Sequence, residues 1–197
     1  MPDTLLPVEE ALARVLAVPR GPLRRETVLL SQAYGRTLTA DLAAKRTQPP
    51  KAVSAMDGYA LRAEDAGAPG SRLTIVGESA AGRGFLGKIG AREAVRIFTG
   101  APLPEGGDTI VIQEDTKIEG TSVVIDEPAK PHAYIRPAGL DFREGEVLLR
   151  AGTRVGPAEL ALAAAMNHAQ VEVAAKPRVA ILATGDELVM PGDQPGP

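Results

Sequence analysis

Apolar positions near the start of the chain fall on a helical period. Val8, Ala11, Leu12, Val15 and Leu16 recur at i, i+3, i+4, i+7 and i+8, which draws one apolar stripe along a helix. Pro7 suits the first turn, where a missing N–H costs nothing, and Glu9 and Glu10 lie at the positive end of the helix dipole. Pro19-Arg20-Gly21-Pro22 predicts the stop. Thr27–Leu30 then predicts a strand, Ser31 the cap of a short helix ended by Gly35, and Leu38–Leu42 an extended segment. Thr47-Gln48-Pro49-Pro50-Lys51 reads as a linker.

From about 52 to 145 the pattern is that of short strands. Leu73–Val76, Ala94–Phe98 and Thr109–Gln113 are apolar runs of strand length. Lys117-Ile118 and Val123–Ile125 flank Glu119-Gly120-Thr121 and predict a hairpin, while Gly82, Gly84, Gly87 and Gly90 break the stretch between 80 and 92. Past 145 the pattern changes back. Val147–Leu149 is extended, Pro157 opens an Ala-rich helix to about Ala169, and Val171–Val173 is a short strand. Arg178–Ala183 is apolar without alternation, which predicts a strand buried on both faces of a parallel α/β sheet. Only fourteen residues follow it, too few for a crossover helix and a paired strand, so the sequence reads as cut just inside a new domain.

Composition narrows the function classes. The 197 residues are 44% hydrophobic and 24% charged, as in an ordinary globular protein, with a net charge of −3 that argues against a broad basic surface for nucleic acid. Aromatic residues are only 3%, without Trp, which removes the usual stacking platform for single strands. The absence of Cys excludes disulfides, thiolate metal sites and Cys nucleophiles, and it fits a reducing compartment. His132 and His168 are the only histidines; each is expected at the surface rather than as a ligand. The N-terminus lacks the basic and apolar regions of a secretory signal, and the longest apolar run, Leu160–Met166, falls far short of a membrane span. The expectation is a soluble, cytoplasmic protein.

Three segments are too polar and Gly-rich for their apolar flanks to explain: Ser54–Ala60; Arg96–Pro104, continuing to Asp108 and Gln113-Glu114-Asp115; and Ala183–Leu188. Each can be turn chemistry, with Asp57 in an Asx-turn and Thr99 as a capping hydroxyl. Acids and hydroxyls at strand ends are also what a phosphate–metal site needs, since carboxylates hold Mg²⁺ while hydroxyl and Gly N–H groups meet phosphate oxygens. No Gly-rich phosphate loop of the GxxxxGK[ST] or GxGxxG kind is present, which argues against a generic phosphate-binding α/β protein.

In order and spacing these segments resemble the MoeA family of molybdopterin molybdenumtransferases, which includes the E domain of gephyrin. Ser54-Ala55-Met56-Asp57-Gly58-Tyr59-Ala60 matches a family motif almost letter for letter. Arg96–Pro104 with Asp108–Glu114, Ile135–Asp141, and Pro177–Leu188 match three further ones. The resemblance implies a mixed α/β (α+β) multidomain fold in a protein about twice this length. In it, residues 1–22 form a helix packing toward a third domain, 23–44 and 145–175 a small split domain, 45–144 an inserted β-rich domain, and 176–197 the start of the molybdopterin-binding third domain.

It also implies a reaction, insertion of molybdenum from molybdate into adenylylated molybdopterin with release of AMP, using Mg²⁺. The roles it implies are catalytic for Asp57, Thr99 and Glu187, and cofactor-binding for Ser54, Gly58, Gly100, Arg136, Thr184 and Gly185; for Arg136 the two readings are a bidentate anion contact and a surface or interdomain salt bridge. Asp57, Asp186 and Glu187 would hold metal, and Thr99 would donate to a phosphate or molybdate oxygen. A homodimer and a molybdopterin adenylyltransferase partner are implied as well; nucleic acid and membrane are not. The 197 residues alone are expected to be inactive. Leu140 stands where the family often has an acid or Ser, and Asn167-His168 where a Gly often ends the helix; Asn still tolerates the left-handed conformation. A scaffolding module without catalysis is the competing reading, but it gives no reason to keep Asp57 and Glu187.

Overall fold

The computed structural model describes residues 6–18, 24–185, 187–194 and 196, so the helix stop expected at Pro19–Pro22 and the candidate ligand Asp186 lie outside the described residues. Helix α1 spans Val8–Ala17, with an i,i+4 pair between Glu10 and Arg14 at 2.6 Å. Its apolar stripe forms as the spacing predicts, yet Val8, Leu12, Val15 and Leu16 are all exposed.

The strands in chain order are β1 Arg25–Leu29, β2 Leu42–Ala43, β3 Val53–Ser54, β4 Gly58–Leu61, β5 Ser71–Ser79, β6 Glu93–Ile97, β7 Thr109–Ile112, β8 Thr116–Glu119, β9 Ser122–Ile125, β10 Ile135–Arg136, β11 Val147–Leu149 and β12 Gln170–Ala174. Helix α2 is Pro157–Ala165. Segments far apart in sequence close the first packed unit. β1 pairs antiparallel with β12, from Arg25↔Ala174 to Leu29↔Gln170, and β2 pairs with β11. Leu38, Leu42, Phe142, Leu149, Val155, Met166 and Val173 fill its core under α2. The stretch between these halves builds a six-stranded sheet in the order β7-β4-β6-β5-β9-β8, antiparallel except at β5–β6. Leu61, Leu73, Ala94 and Ile125 fill one side of the sheet, and Ala60, Val95, Ile97 and Ile110 the other.

Strand β4 is missing from the sequence reading. Its four residues are all buried, because β6 and β7 pair along both of its edges, and a four-residue run carries no alternation to reveal this. Gly58 opens the strand beneath the Val111 carbonyl: a Cβ there would lie 2.0 Å from that oxygen.

Several expectations need correction. The short helix after β1 is a 3-10 turn over Leu30–Gln32 with Leu29, not Ser31, at its cap position. Helix α2 ends at Ala165 rather than Ala169, since Asn167 adopts φ +70° and turns the chain into β12. His168 is buried, not a surface residue; its Nε2 lies 2.9 Å from the Ala43 carbonyl, an acceptor that requires the N–H there. The run Arg178–Ala183 forms no strand. Val179, Ile181 and Leu182 are 78%, 93% and 87% exposed, because among the described residues no strand lies beside them to satisfy an apolar β-edge. Among the described residues no helix is long and apolar enough to cross a membrane.

Candidate functional site

Three strand ends meet at one corner of the six-stranded sheet. The pairs Gly58↔Ile97 and Gly58↔Ile112 bring the start of β4 level with the ends of β6 and β7. Asp57 precedes β4, Thr99 follows β6 by two residues, and Gln113 follows β7, so register alone assembles all three.

The turn that carries Asp57 is shaped from within. Buried Ser54 donates its hydroxyl to the Met56 carbonyl at 2.5 Å and accepts the Met56 N–H at 3.2 Å. Asp57 Oδ1 accepts two bonds from Thr99, from the backbone N–H at 2.7 Å and the hydroxyl at 2.8 Å. The Gln113 N–H donates to the Asp57 carbonyl at 3.0 Å. Gly100 takes φ +80° and gives its N–H to the Ser54 carbonyl at 2.8 Å. Nothing would crowd a Cβ on Gly100, so its requirement is conformational, whereas that of Gly58 is steric.

This geometry sets the chemistry. The Thr99 N–H, then its hydroxyl, hold the Asp57 carboxyl below the ordinary carboxylate range against the opposing effect of burial, and the Arg96 guanidinium adds to the lowering. Asp57 is therefore ionised at neutral pH and is no proton donor there. The Thr99 hydroxyl donates to Asp57, which leaves its oxygen able to accept from a further group. Replacing Thr99 by Val is expected to raise the Asp57 titration midpoint toward the ordinary value of about 3.9. Because the folded-state pKa is lowered, the stability that this carboxylate contributes is present above the unfolded value and lost as pH falls through the folded one. A ¹³C carboxyl titration of both proteins checks the order of the two midpoints.

Arg136, on β10 beside β3, is ion-paired with Asp141 at 3.0 Å. It shares with Gly100, Lys51, Pro49 and Asp141 the wall of a cavity of about 330 Å³, next to the Thr99-Gly100 turn. Thr184, Gly185 and Glu187 stand apart. They are exposed, Gly185 has φ +128°, and the hydrogen bonds of their segment are local, from Leu188 N–H to the Gly185 carbonyl and from Asp193 N–H to the Met190 carbonyl. Among the described residues no hydrogen bond or ion pair joins 184–194 to the Asp57 corner, and no group of three or more His, Asp or Glu side chains converges as a metal site. The structure thus brings Ser54, Asp57, Gly58, Thr99 and Gly100 together, sets Arg136 in the adjacent cavity, and leaves Thr184, Gly185 and Glu187 elsewhere. Sequence reasoning gave no role to Gln113 or Arg96; the signal was an Arg flanked by Val95 and Ile97 in an apolar strand.

The family model described as the MoeA N-terminal region, domains I and II, matches residues 6–167. A Haemophilus influenzae protein named molybdopterin molybdenumtransferase is 34% identical over 189 residues, covering 95% of this chain and 46% of its own length. A Nostoc protein of the same name is 39% identical over 197 residues, covering 95% and 45%. Two crystal structures of a molybdopterin biosynthesis MoeA protein from Pyrococcus horikoshii superpose with TM-scores of 0.78 and 0.80 at 33% and 34% identity, covering 88% and 98% of this chain. The chain spans about half the length of the relatives it matches.

Proposed function

Because the chain belongs to the MoeA family, by the match of its residues 6–167 to the N-terminal region, we propose that it is part of an enzyme that inserts molybdenum from molybdate into adenylylated molybdopterin and releases AMP. The observation that carries this reading is the Asp57–Thr99 clasp: a carboxylate held ionised at a strand-end corner, far more organised than a surface turn requires. A scaffold has no use for it.

Within this reading Asp57 acts by charge and position. Oδ1 is filled by Thr99, and no hydrogen bond reaches Oδ2 among the described residues. One open carboxylate oxygen fits a Mg²⁺ held by one or two carboxylates and the substrate's own phosphates. When bound, that ion supplies charge neutralisation at the phosphoanhydride. The Thr99 oxygen, acting as acceptor, orients a water or a protonated substrate oxygen. With Arg136 paired to Asp141, Lys51 leaves the neighbouring cavity one net positive charge, which suits the anionic substrates. The family resemblance, not a contact in this structure, assigns Glu187, Thr184 and Gly185 to an opposing wall.

The same reading divides the chain into the split domain, 23–44 with 145–175, and the inserted domain 45–144, with 1–22 and 176–197 turned toward a third domain. The exposed stripe of α1 and the exposed Val179–Leu182 run support a covering surface of that kind. A homodimer, docking to a molybdopterin adenylyltransferase and a cytoplasmic setting follow from the family resemblance. In a full-length protein carrying this sequence, Thr99→Val is expected to slow molybdenum insertion roughly tenfold, the order of effect of loosening one positioned charged group. The molybdenum content of the product pterin against time measures it; an unchanged rate would remove Thr99 from the site.

A further inference from the structure

Arg96 sits in β6 between the fully buried Val95 and Ile97. Tyr59 of β4 is its direct register partner, so the two side chains share a face of the sheet. The guanidinium carbon lies 5.1 Å from the Tyr59 ring centre and 5.0 Å from that of Phe98. From this seat Nη1 donates to the Gly58 carbonyl at 3.2 Å and Nη2 to Gln113 Oε1 at 2.6 Å. One side chain of β6 therefore reaches across β4 to the end of β7. Both of its partners adjoin Asp57: Gly58 follows it in the chain, and the Gln113 N–H bonds its carbonyl at 3.0 Å. Thr99, the donor to the Asp57 carboxylate, lies three residues beyond Arg96 on the same strand end.

We propose that Arg96 is the positioning residue of the Asp57–Thr99 clasp: its fork fastens Gly58 and Gln113 on either side of Asp57 and so fixes the carboxylate against Thr99. The proposal rests on the reading of Asp57 as the working carboxylate of the site. The chemistry of the guanidinium carries it. The group is planar and presents donors in a fixed fork, so it can satisfy two acceptors on different strands while its faces lie near two rings. A lysine brings the charge without the fork. A role in packing alone would need only the aliphatic stem and the two rings, and would be indifferent to the Gln113 amide.

The amide of Thr99 separates these cases, because its N–H bonds the Asp57 carboxylate directly. In ¹⁵N-labelled protein of this sequence, Arg96→Lys and Gln113→Ala are each expected to speed hydrogen exchange at the Thr99 amide about tenfold and to move its proton resonance upfield. Amides of β9, which pairs with the far end of β5 over Ser71–Thr74, should keep their wild-type exchange. If both variants leave the Thr99 exchange within about twofold of wild type and its resonance in place, Arg96 only packs and the proposal is wrong. Should Arg96→Lys fail to fold, Gln113→Ala decides alone, since it removes one tine's partner from an exposed position while the charge and both rings remain. None of these readouts depends on turnover. A normal insertion rate in Asp57→Asn would therefore overturn the functional reading and leave the Thr99 result standing as a separate outcome.

Discussion

Gly58→Ala is expected to destabilise the protein by at least about 3 kcal/mol, at the upper end of what overpacking a core costs. The added methyl would lie 2.0 Å from the Val111 carbonyl oxygen and 3.0 Å from the Ile112 Cα, both backbone atoms that no rotamer change can move. Relief requires parting β4 from β7, and β4 is the strand on which both sheet faces depend, with Tyr59, Ala60 and Leu61 each no more than 2% exposed. At roughly 2–4 °C per kcal/mol for a chain of this size, the melting temperature should fall by about 6–12 °C. Gly35→Ala is the control. Gly35 has φ +73° but open space around it, so only the left-handed backbone penalty of about 1–2 kcal/mol applies. Urea midpoints of the two variants should differ in that order; equal midpoints would mean that the β4–β7 approach yields easily.

Asp57→Asn is expected to reduce molybdenum insertion about a hundredfold or more in a full-length protein, with stability changed by about 1 kcal/mol or less. The substitution keeps the shape of the side chain and an oxygen that can accept from the Thr99 N–H and hydroxyl, so the corner is retained. What it removes is the negative charge that Thr99 and Arg96 hold in place at neutral pH. A charge fixed in position before the reaction is worth more than one that must be ordered during it, which is why the loss should appear in turnover. Rate measurements alongside thermal melts distinguish the two effects. A normal rate with a normal melt would return Asp57 to turn chemistry.

The legible part of this fold is the part whose period is local. The stripe of α1, the Ala-rich α2 and the hairpin of β8 and β9 follow from spacing within a dozen residues. Strand β4 was hidden because Gly58-Tyr59-Ala60-Leu61 begins in a polar, Gly-bearing motif and owes its burial to partners on both edges. Arg178–Ala183 misled in the opposite sense: its apolarity is that of a buried strand, but pairing is a property of neighbours and not of the run itself. The candidate site divides along the same line. Asp57 and Thr99 stand 42 residues apart, and only the register of β4 on β6 brings them into contact, so the spacing held no trace of the clasp and family motifs pointed to it instead. Arg96 and Gln113 lie inside the polar segments that the sequence singles out, yet neither takes a role there, because each reads as an ordinary strand or turn residue until its partners are known.

The most direct test of the account is an amide-resonance titration of this chain with adenylylated molybdopterin and Mg²⁺. The account predicts weak, fast-exchanging binding whose largest shifts fall on Asp57, Gly58, Thr99 and Gly100, since this corner gathers a carboxylate, a hydroxyl and a turn glycine, and among the described residues no hydrogen bond or ion pair joins 184–194 to it. Shifts confined to the cavity that Ile110, Asp115, Glu127 and Tyr134 line beside β7, with Asp57 and Thr99 unmoved, would contradict it.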